Sequence, residues 1–415
     1  MVASSTALLG ALALFGSAAA TYTPGSTTIK LQARDLGLKN GDGSVNIPGL
    51  LAETERLSRK FERNRMNQVY YAQTMKDPVA RQKRGTIPLS LPDPENAVWT
   101  GQVSVGTPAQ SFSIFFDSGS SDFTLASTAC TTSCGTKKRY NTAASSSAVK
   151  TTKQVRTSFV DGTSSVGVVY TDTVTAGGST ATGQDIVAAT SLSSTVSGLA
   201  SDGMGLSYPS LSSAGSSSLM FTLAAQGQYF KYPYFSIRLS YTGRSEITFG
   251  GWNKARVAGK FRWYNVTPAP NGIRTYWQMG LSAPMISGKV AAPLVTHILD
   301  SGTTLIIAPP AAAATFWSNV PGAESYSDEF WTYPCDSPPD LTFGFERALA
   351  TKWAVAESSF NLGYLQEAPD RCVGAVIGSD LGLGTSWLLG DAFTVTNVYV
   401  MHDVVANRIG IAPAR

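Results

Sequence analysis

The sequence predicts a mostly antiparallel β fold built from two similar halves, and three observations carry this. Beyond its apolar residues, the 415-residue chain is dominated by Ser, Thr, Gly and Ala, which suits short strands and turns better than long helices. Short β-prone runs follow one another and are closed by glycine or proline. One motif also occurs twice, as Asp117-Ser118-Gly119-Ser120-Ser121 and as Asp300-Ser301-Gly302-Thr303-Thr304, each time after an apolar run.

Residues 1–20 precede the fold. Leu8 to Phe15 is apolar and is followed by the small residues Gly16-Ser17-Ala18-Ala19-Ala20. This is the core and cleavage pattern of a secretory signal, although the usual positive charge before it is missing, and it is too short to span a bilayer. No other segment approaches a membrane-spanning length, and a lipid anchor is not expected. Residues 21–84 carry 12 of the 32 Lys and Arg and 6 of the 28 Asp and Glu, a net of +6. The rest of the chain, from Gly85, has 20 basic and 22 acidic residues. The basic character therefore belongs to the leader, and nucleic-acid binding loses its support. The leader ends in Lys83-Arg84, a dibasic pair at a composition boundary, which is read as a processing site. Within it Leu50, Leu51, Leu57 and Phe61, with charges between them, predict one amphipathic helix.

After Gly85 the runs 102–105, 113–116, 166–174, 247–249 and 398–401 read as strands. Helices are few and short, at 217–226 and 310–319. The halves are 85–241 and 242–415. The four cysteines, Cys130, Cys134, Cys335 and Cys372, form an even set behind a signal segment, which favours disulfides over metal ligation. Spacing suggests Cys130–Cys134 and Cys335–Cys372, though the sequence alone allows three pairings. Only two histidines occur, His297 and His402, which argues against a His-rich metal site. No metal and no cofactor are expected.

The repeated motif carries the chemistry. Each half delivers an aspartate, Asp117 or Asp300, on a tight glycine turn directly out of an apolar strand. Burying one carboxylate is costly, and two converging carboxylates cannot both ionise, so the pair would share a proton. Such a dyad holds a base for water and an acid for a carbonyl oxygen together, which suits peptide hydrolysis in acid without a metal. Gly119 and Gly302 permit the turn, Ser120 and Thr303 can bond the carboxylates, and Ser118 and Ser301 can tie the two loops together. A lone Asp-Ser-Gly is ordinarily a surface turn. Two copies in corresponding halves argue otherwise.

From about Ala97 to the C-terminus the sequence resembles the pepsin family. The resemblance rests on the Asp-Ser-Gly pair and on Gly106-Thr107-Pro108-Ala109-Gln110, Asp202 to Pro209, Thr248-Phe249-Gly250-Gly251, Trp387 to Phe393 and Asn407 to Ala414, in that order. It implies an all-β bilobal fold, two mostly antiparallel β-lobes with a central cleft and a β-hairpin flap. It also implies an aspartic endopeptidase that acts on proteins or peptides, and both suggested disulfides sit where pepsin-like enzymes often have them. The flap is expected around Phe159, Asp161, Gly162 and Thr163. Phe159 stands where the family has a tyrosine, and Thr124 where it has that tyrosine's tryptophan partner. Losing both members of a hydrogen bond can be close to neutral, so an apolar flap contact is expected. Ser118 replaces the usual threonine and keeps its hydroxyl.

The basic leader is then expected to block an acidic cleft until acid weakens its ion pairs, and to act as the chain's own inhibitor. A pepsin-like binding protein without activity is the competing reading, disfavoured by two intact Asp loops. A serine hydrolase lacks a Gly-x-Ser-x-Gly elbow. Asn265-Val266-Thr267 offers Asn265 for glycosylation, with Pro268 following. Secretion is favoured over the vacuole, and a monomer is expected.

Overall fold

The structure, a computed structural model, describes residues 27–30, 37–74, 99–135, 138–158, 164–192, 202–228, 232–241, 245–345, 351–395 and 397–415. The signal segment 1–20, the pair Lys83-Arg84 and the flap residues Phe159, Asp161, Gly162 and Thr163 lie outside the described residues.

The fold is mostly β, in the bilobal arrangement that the pepsin-family resemblance implies. A seven-stranded sheet draws only on residues 100–205, and an eight-stranded and a four-stranded sheet draw on residues 278–389. A six-stranded sheet unites the ends of the chain: Thr27–Lys30, Glu246–Phe249, Tyr234–Arg238, Val398–Asp403, Arg408–Pro413 and Arg262–Asn265, in that order. The two expected short helices form at Leu219–Ala225 and Pro310–Trp317.

The strands that bear the motif repeat from one half to the other. Gln110–Asp117 runs parallel to Asp202–Gly205, and Val295–Leu299 runs parallel to Trp387–Leu389. In each half the strand after the motif, Phe123–Ala126 or Ile306–Ala308, then pairs antiparallel with that same partner. Each Asp loop is thus gripped by strands on both sides. Those strands are buried on both faces, which explains their continuous apolar runs. Phe112, Ile114, Phe116, Ile298, Leu299, Leu388 and Leu389 all lie in one core.

Residues Ile47–Thr74 form a 28-residue helix, about 42 Å long at ~1.5 Å per residue. Asn46 caps it, its Oδ1 accepting from Gly49 N at 3.2 Å. Leu50, Leu57 and Phe61 are buried as the pattern predicts, but Leu51 is 48% exposed. One residue of helix turns it about 100° away from Leu50, outside the buried stripe. None of the described helices is long and apolar enough to cross a membrane.

Cys130 is bonded to Cys134 and Cys335 to Cys372, at sequence separations of 4 and 37. Chain-entropy loss assigns about 2 kcal/mol to the short loop and about 4 kcal/mol to the long one. Paired Cys→Ser replacement should therefore lower the thermal midpoint roughly twice as far for Cys335 and Cys372 as for Cys130 and Cys134. Equal shifts in calorimetry would show that the loop-closure argument does not govern these bonds.

Candidate active site

Asp117 and Asp300 meet where the lobes join, 4% and 0% exposed. Their surroundings are nearly the same in both halves. Gly119 N donates to Asp117 Oδ1 at 2.9 Å and Ser120 Oγ to Asp117 Oδ2 at 2.5 Å. Gly302 N donates to Asp300 Oδ1 at 2.9 Å and Thr303 Oγ1 to Asp300 Oδ2 at 2.6 Å. Each glycine also faces the opposite aspartate. A Cβ on Gly119 would fall 2.5 Å from the Asp300 carboxyl, and one on Gly302 would collide with Asp117 Oδ1. Neither turn could bring the carboxylates together with any larger residue.

The loops hold each other. Ser118 N donates to Ser301 Oγ at 3.1 Å, and Ser301 N to Ser118 Oγ at 2.9 Å. Ser118 Oγ reaches Leu299 O at 3.3 Å and Ser301 Oγ reaches Phe116 O at 3.1 Å, each across to the strand below the other loop. The site residues expected from the motif, Asp117, Ser118, Gly119, Ser120, Asp300, Ser301, Gly302 and Thr303, are thus in one constellation.

A ninth group joins them from the leader helix. Lys60 Nζ, 5% exposed as a residue, lies 2.7 Å from Asp117 Oδ1 and 2.6 Å from Asp300 Oδ2. Arg56, paired with Glu53 at 2.6 Å, donates to Gly302 O at 2.8 Å. Asn64 Nδ2 donates to Gly119 O at 2.6 Å, and Asn67 Nδ2 to Leu211 O at 2.6 Å. The Phe61 ring packs on Tyr276, centroids 5.6 Å apart. The ion pairs of Arg56, Arg59 and Arg65 lie within the helix, with Glu53, Glu55 and Glu62, whereas those of Lys60 cross to the dyad. Among the described residues Lys60 makes the direct ion pairs with the dyad, and Arg56 also interacts electrostatically with both carboxyls. The sequence did carry a signal for Lys60. Glu53, Thr54, Lys60, Asn64 and Asn67 share a helical face with Leu50, Leu57 and Phe61, a polar row where an apolar stripe would ordinarily continue.

Burial pushes both carboxyls up, but for Asp117 the Lys60 charge and hydrogen bond prevail and hold it well below the usual range. Asp300 is raised, by burial and by the Asp117 charge. Asp117 is therefore the member of the pair that favours its charged form, and Asp300 the member that favours its protonated form. Beneath the pair Asp391, 2% exposed, accepts from Trp99 Nε1 at 3.0 Å and is raised well above the ordinary value, chiefly by burial and then by the Asp300 charge.

Thr124 is paired with Val187, which packs in a small apolar cluster with Val155, Val169 and Ala214. Asn265 is exposed at the end of the strand Arg262–Asn265.

Comparison with known proteins gives a consistent result. The family model described as eukaryotic aspartyl protease matches residues 98–414. An aspartic protease of Phaffia rhodozyma is 35% identical over 328 residues, 76% of each chain. Pepsin A of Sus scrofa is 30% identical over 75% of this chain and 80% of its own. Vacuolar protease A of Neurospora crassa is 30% identical over 99% of both.

Asp391 folds best protonated. So does Glu246, raised to about 7, mainly by burial on the six-stranded sheet. For a group with a raised value the contribution to stability is whole below the ordinary carboxylate range and lost as pH rises through the raised value. For Glu246 that amounts to about 2–3 kcal/mol between pH 4.5 and 8. Glu246→Gln and Asp391→Asn should each flatten the fall in thermal midpoint over that window. A fall parallel to that of the wild type would show that neither carboxyl is the cause.

Proposed function

Because the chain belongs to the eukaryotic aspartyl protease family, we propose that it is an acid-active endopeptidase, exported through the secretory route and made as an inactive precursor. Asp117 and Asp300 are its catalytic pair. The observation that carries the reading is the Lys60 ammonium in hydrogen-bonding contact with both carboxylates.

With the leader gone, the dyad keeps one proton between its two carboxyls, because a second negative charge in that buried space is unfavourable. The ionised member takes a proton from water as the water oxygen bonds to the peptide carbonyl carbon. The protonated member donates to the carbonyl oxygen. Collapse of the tetrahedral intermediate breaks the C–N bond, and the proton taken from water ends on the leaving amine. Ser120, Thr303 and the two glycine N–H groups fix the carboxyls during both transfers. Activity lies between the two macroscopic values of the pair, which sets an acid optimum.

Residues 21–84 are the inhibitory leader, with Lys60 where substrate and water would react. Acid alone is a weak key to this lock. A depressed carboxyl keeps its contribution above the ordinary range and loses it only as pH falls through the depressed value. The Lys60–Asp117 pair therefore survives acid that protonates ordinary carboxylates. A cut after Lys83-Arg84 supplies the remaining step, freeing the leader to dissociate. The subsites take apolar residues on both sides of the cut, and Phe159 takes the place of the family's flap tyrosine. Export to the medium is the first reading of the signal segment. The full-length likeness to a protein named vacuolar protease A makes the vacuole the second, separated by fractionating culture medium and vacuoles.

The processed enzyme should digest denatured protein at low pH, be inhibited by a statine-type mimic, and lose activity at least a thousandfold in Asp117→Asn. A precursor made uncuttable by Lys83→Ser and Arg84→Ser should be silent, and adding Lys60→Met should restore measurable turnover. A folded processed enzyme without activity would favour a binding protein instead.

A further inference from the structure

Away from the dyad, and apart from the strand Thr27–Lys30 on the six-stranded sheet, the leader makes a further attachment. Asn361–Leu365 is the edge strand of the four-stranded sheet, and residues 37–46 lie along it. Val45 N donates to Tyr364 O at 3.0 Å, and Ser44 stands opposite Tyr364 in a parallel bridge. Tyr364 Oη donates to Asp42 O at 3.1 Å, and Gln366 Nε2 to Asp42 Oδ2 at 3.2 Å. Leu38, Ser44 and Val45 are buried there. Gly363 has φ +118°, and a Cβ on it would come within 2.7 Å of Gly43 O and 2.9 Å of Val45 N. This edge is shaped to admit another backbone.

The docked segment is also preset. Asp42 Oδ1 accepts from Ser44 N at 2.9 Å and from Ser44 Oγ at 2.6 Å, and Asn40 Nδ2 donates to Ser44 Oγ at 2.9 Å. Asn46 joins this turn to the inhibitory helix, donating to Gly37 O at 2.6 Å while capping the helix. Turn and helix form one continuous ligand with two contacts.

We propose that the edge Asn361–Gln366 is a docking site separate from the dyad, fitted to a tight Asp-Gly-Ser-Val turn and occupied by the leader's own residues 42–45. The leader thus holds the enzyme at this edge as well as through the helix at the dyad and the strand Thr27–Lys30 on the six-stranded sheet. The inference rests on the reading of this leader as an inhibitor. Recognition comes from the Val45 N bond to Tyr364 O together with the Tyr364 and Gln366 side chains on Asp42, and Asp42 against Gln366 gives register. The second contact, once the first is made, is intramolecular, which raises overall affinity by roughly 10²–10⁴ where the geometry fits. The Asp42 carboxyl is held below its ordinary value by the Ser44 hydroxyl and N–H, with Gln366 adding to them, so the contact persists in mild acid.

The test titrates processed enzyme with two synthetic, fluorescein-labelled leader peptides, 37–74 and 46–74; the shorter keeps the Asn46 cap. Binding is read by anisotropy and inhibition on a short chromogenic peptide. The longer peptide should bind and inhibit at least tenfold more tightly. Asp42→Ala in the peptide, or Gln366→Ala in the enzyme, should remove most of that advantage and leave kcat/KM unchanged. Equal affinities of the two peptides would overturn the docking site while leaving the inhibitory helix standing. A Gln366-dependent advantage in binding without inhibition would uphold the docking site and overturn the inhibitory reading.

Discussion

Two carboxyl groups forced together out of water are the constraint around which this molecule is organised. Neither would stay there unaided, since an unpaired buried charge is strongly unfavourable. Each Asp therefore receives a backbone N–H and a hydroxyl from its own loop. Each loop in turn is bound to the other lobe through Ser118 and Ser301. Strands on both sides fix the loops from below: the Asp117 carbonyl accepts from Leu206 N at 2.8 Å, and Asp300 N donates to Leu389 O at 3.0 Å. Two lobes are needed because one chain segment cannot present two such turns face to face.

On the proposed reading of residues 21–84 as an inhibitor, that arrangement accounts for the form the leader takes. A pair sharing one proton carries one negative charge, and one ammonium neutralises it. Lys60 meets that need, and its placement comes from ordinary helix geometry. Leu57 and Phe61 bury on the same face, and Lys60, three residues after Leu57, flanks that face and enters the cleft beside it. Asn64 then satisfies Gly119 O, and Arg56 satisfies Gly302 O, carbonyls of the two turns that present the dyad. The helix is complementary to both halves at once, which a strand in extended conformation would achieve with different side chains.

Much of this was legible in the sequence. The repeated Asp-Ser-Gly motif behind apolar runs pointed to two equivalent loops, and Ser118, Ser120, Ser301 and Thr303 make the bonds their hydroxyls suggested. The runs Asp202 to Leu206 and Trp387 to Asp391 were visible only as separate motifs. Their equivalence, as the parallel partners of the two Asp strands, depends on pairing over nearly a hundred residues, which local pattern cannot express. Leu51 was placed on the wrong side of the leader helix because hydrophobicity alone does not give angular position. Lys60 was hidden among many leader charges, and became distinct only once the buried stripe showed which face it shares. The Tyr364 edge left no local trace at all, since Asp42-Gly43-Ser44 reads simply as a turn.

The same buried groups set the molecule's relation to pH, and they do not all pull one way. Asp391, Glu246 and Asp300 are raised by burial, so folding favours their protonated forms and acid suits them. His297 and His402 are lowered to about 3, because their rings are enclosed by aromatic groups such as Phe343, Trp387, Phe235 and Trp277. For them stability is whole above the ordinary histidine range and declines as pH falls toward 3. The carboxyls thus favour the acid side of neutrality and the histidines bound it from below. Between the ordinary carboxylate and histidine ranges the two slopes oppose and offset one another. Stability is thereby centred on a mildly acid window by one cause, the burial of groups that water would otherwise charge.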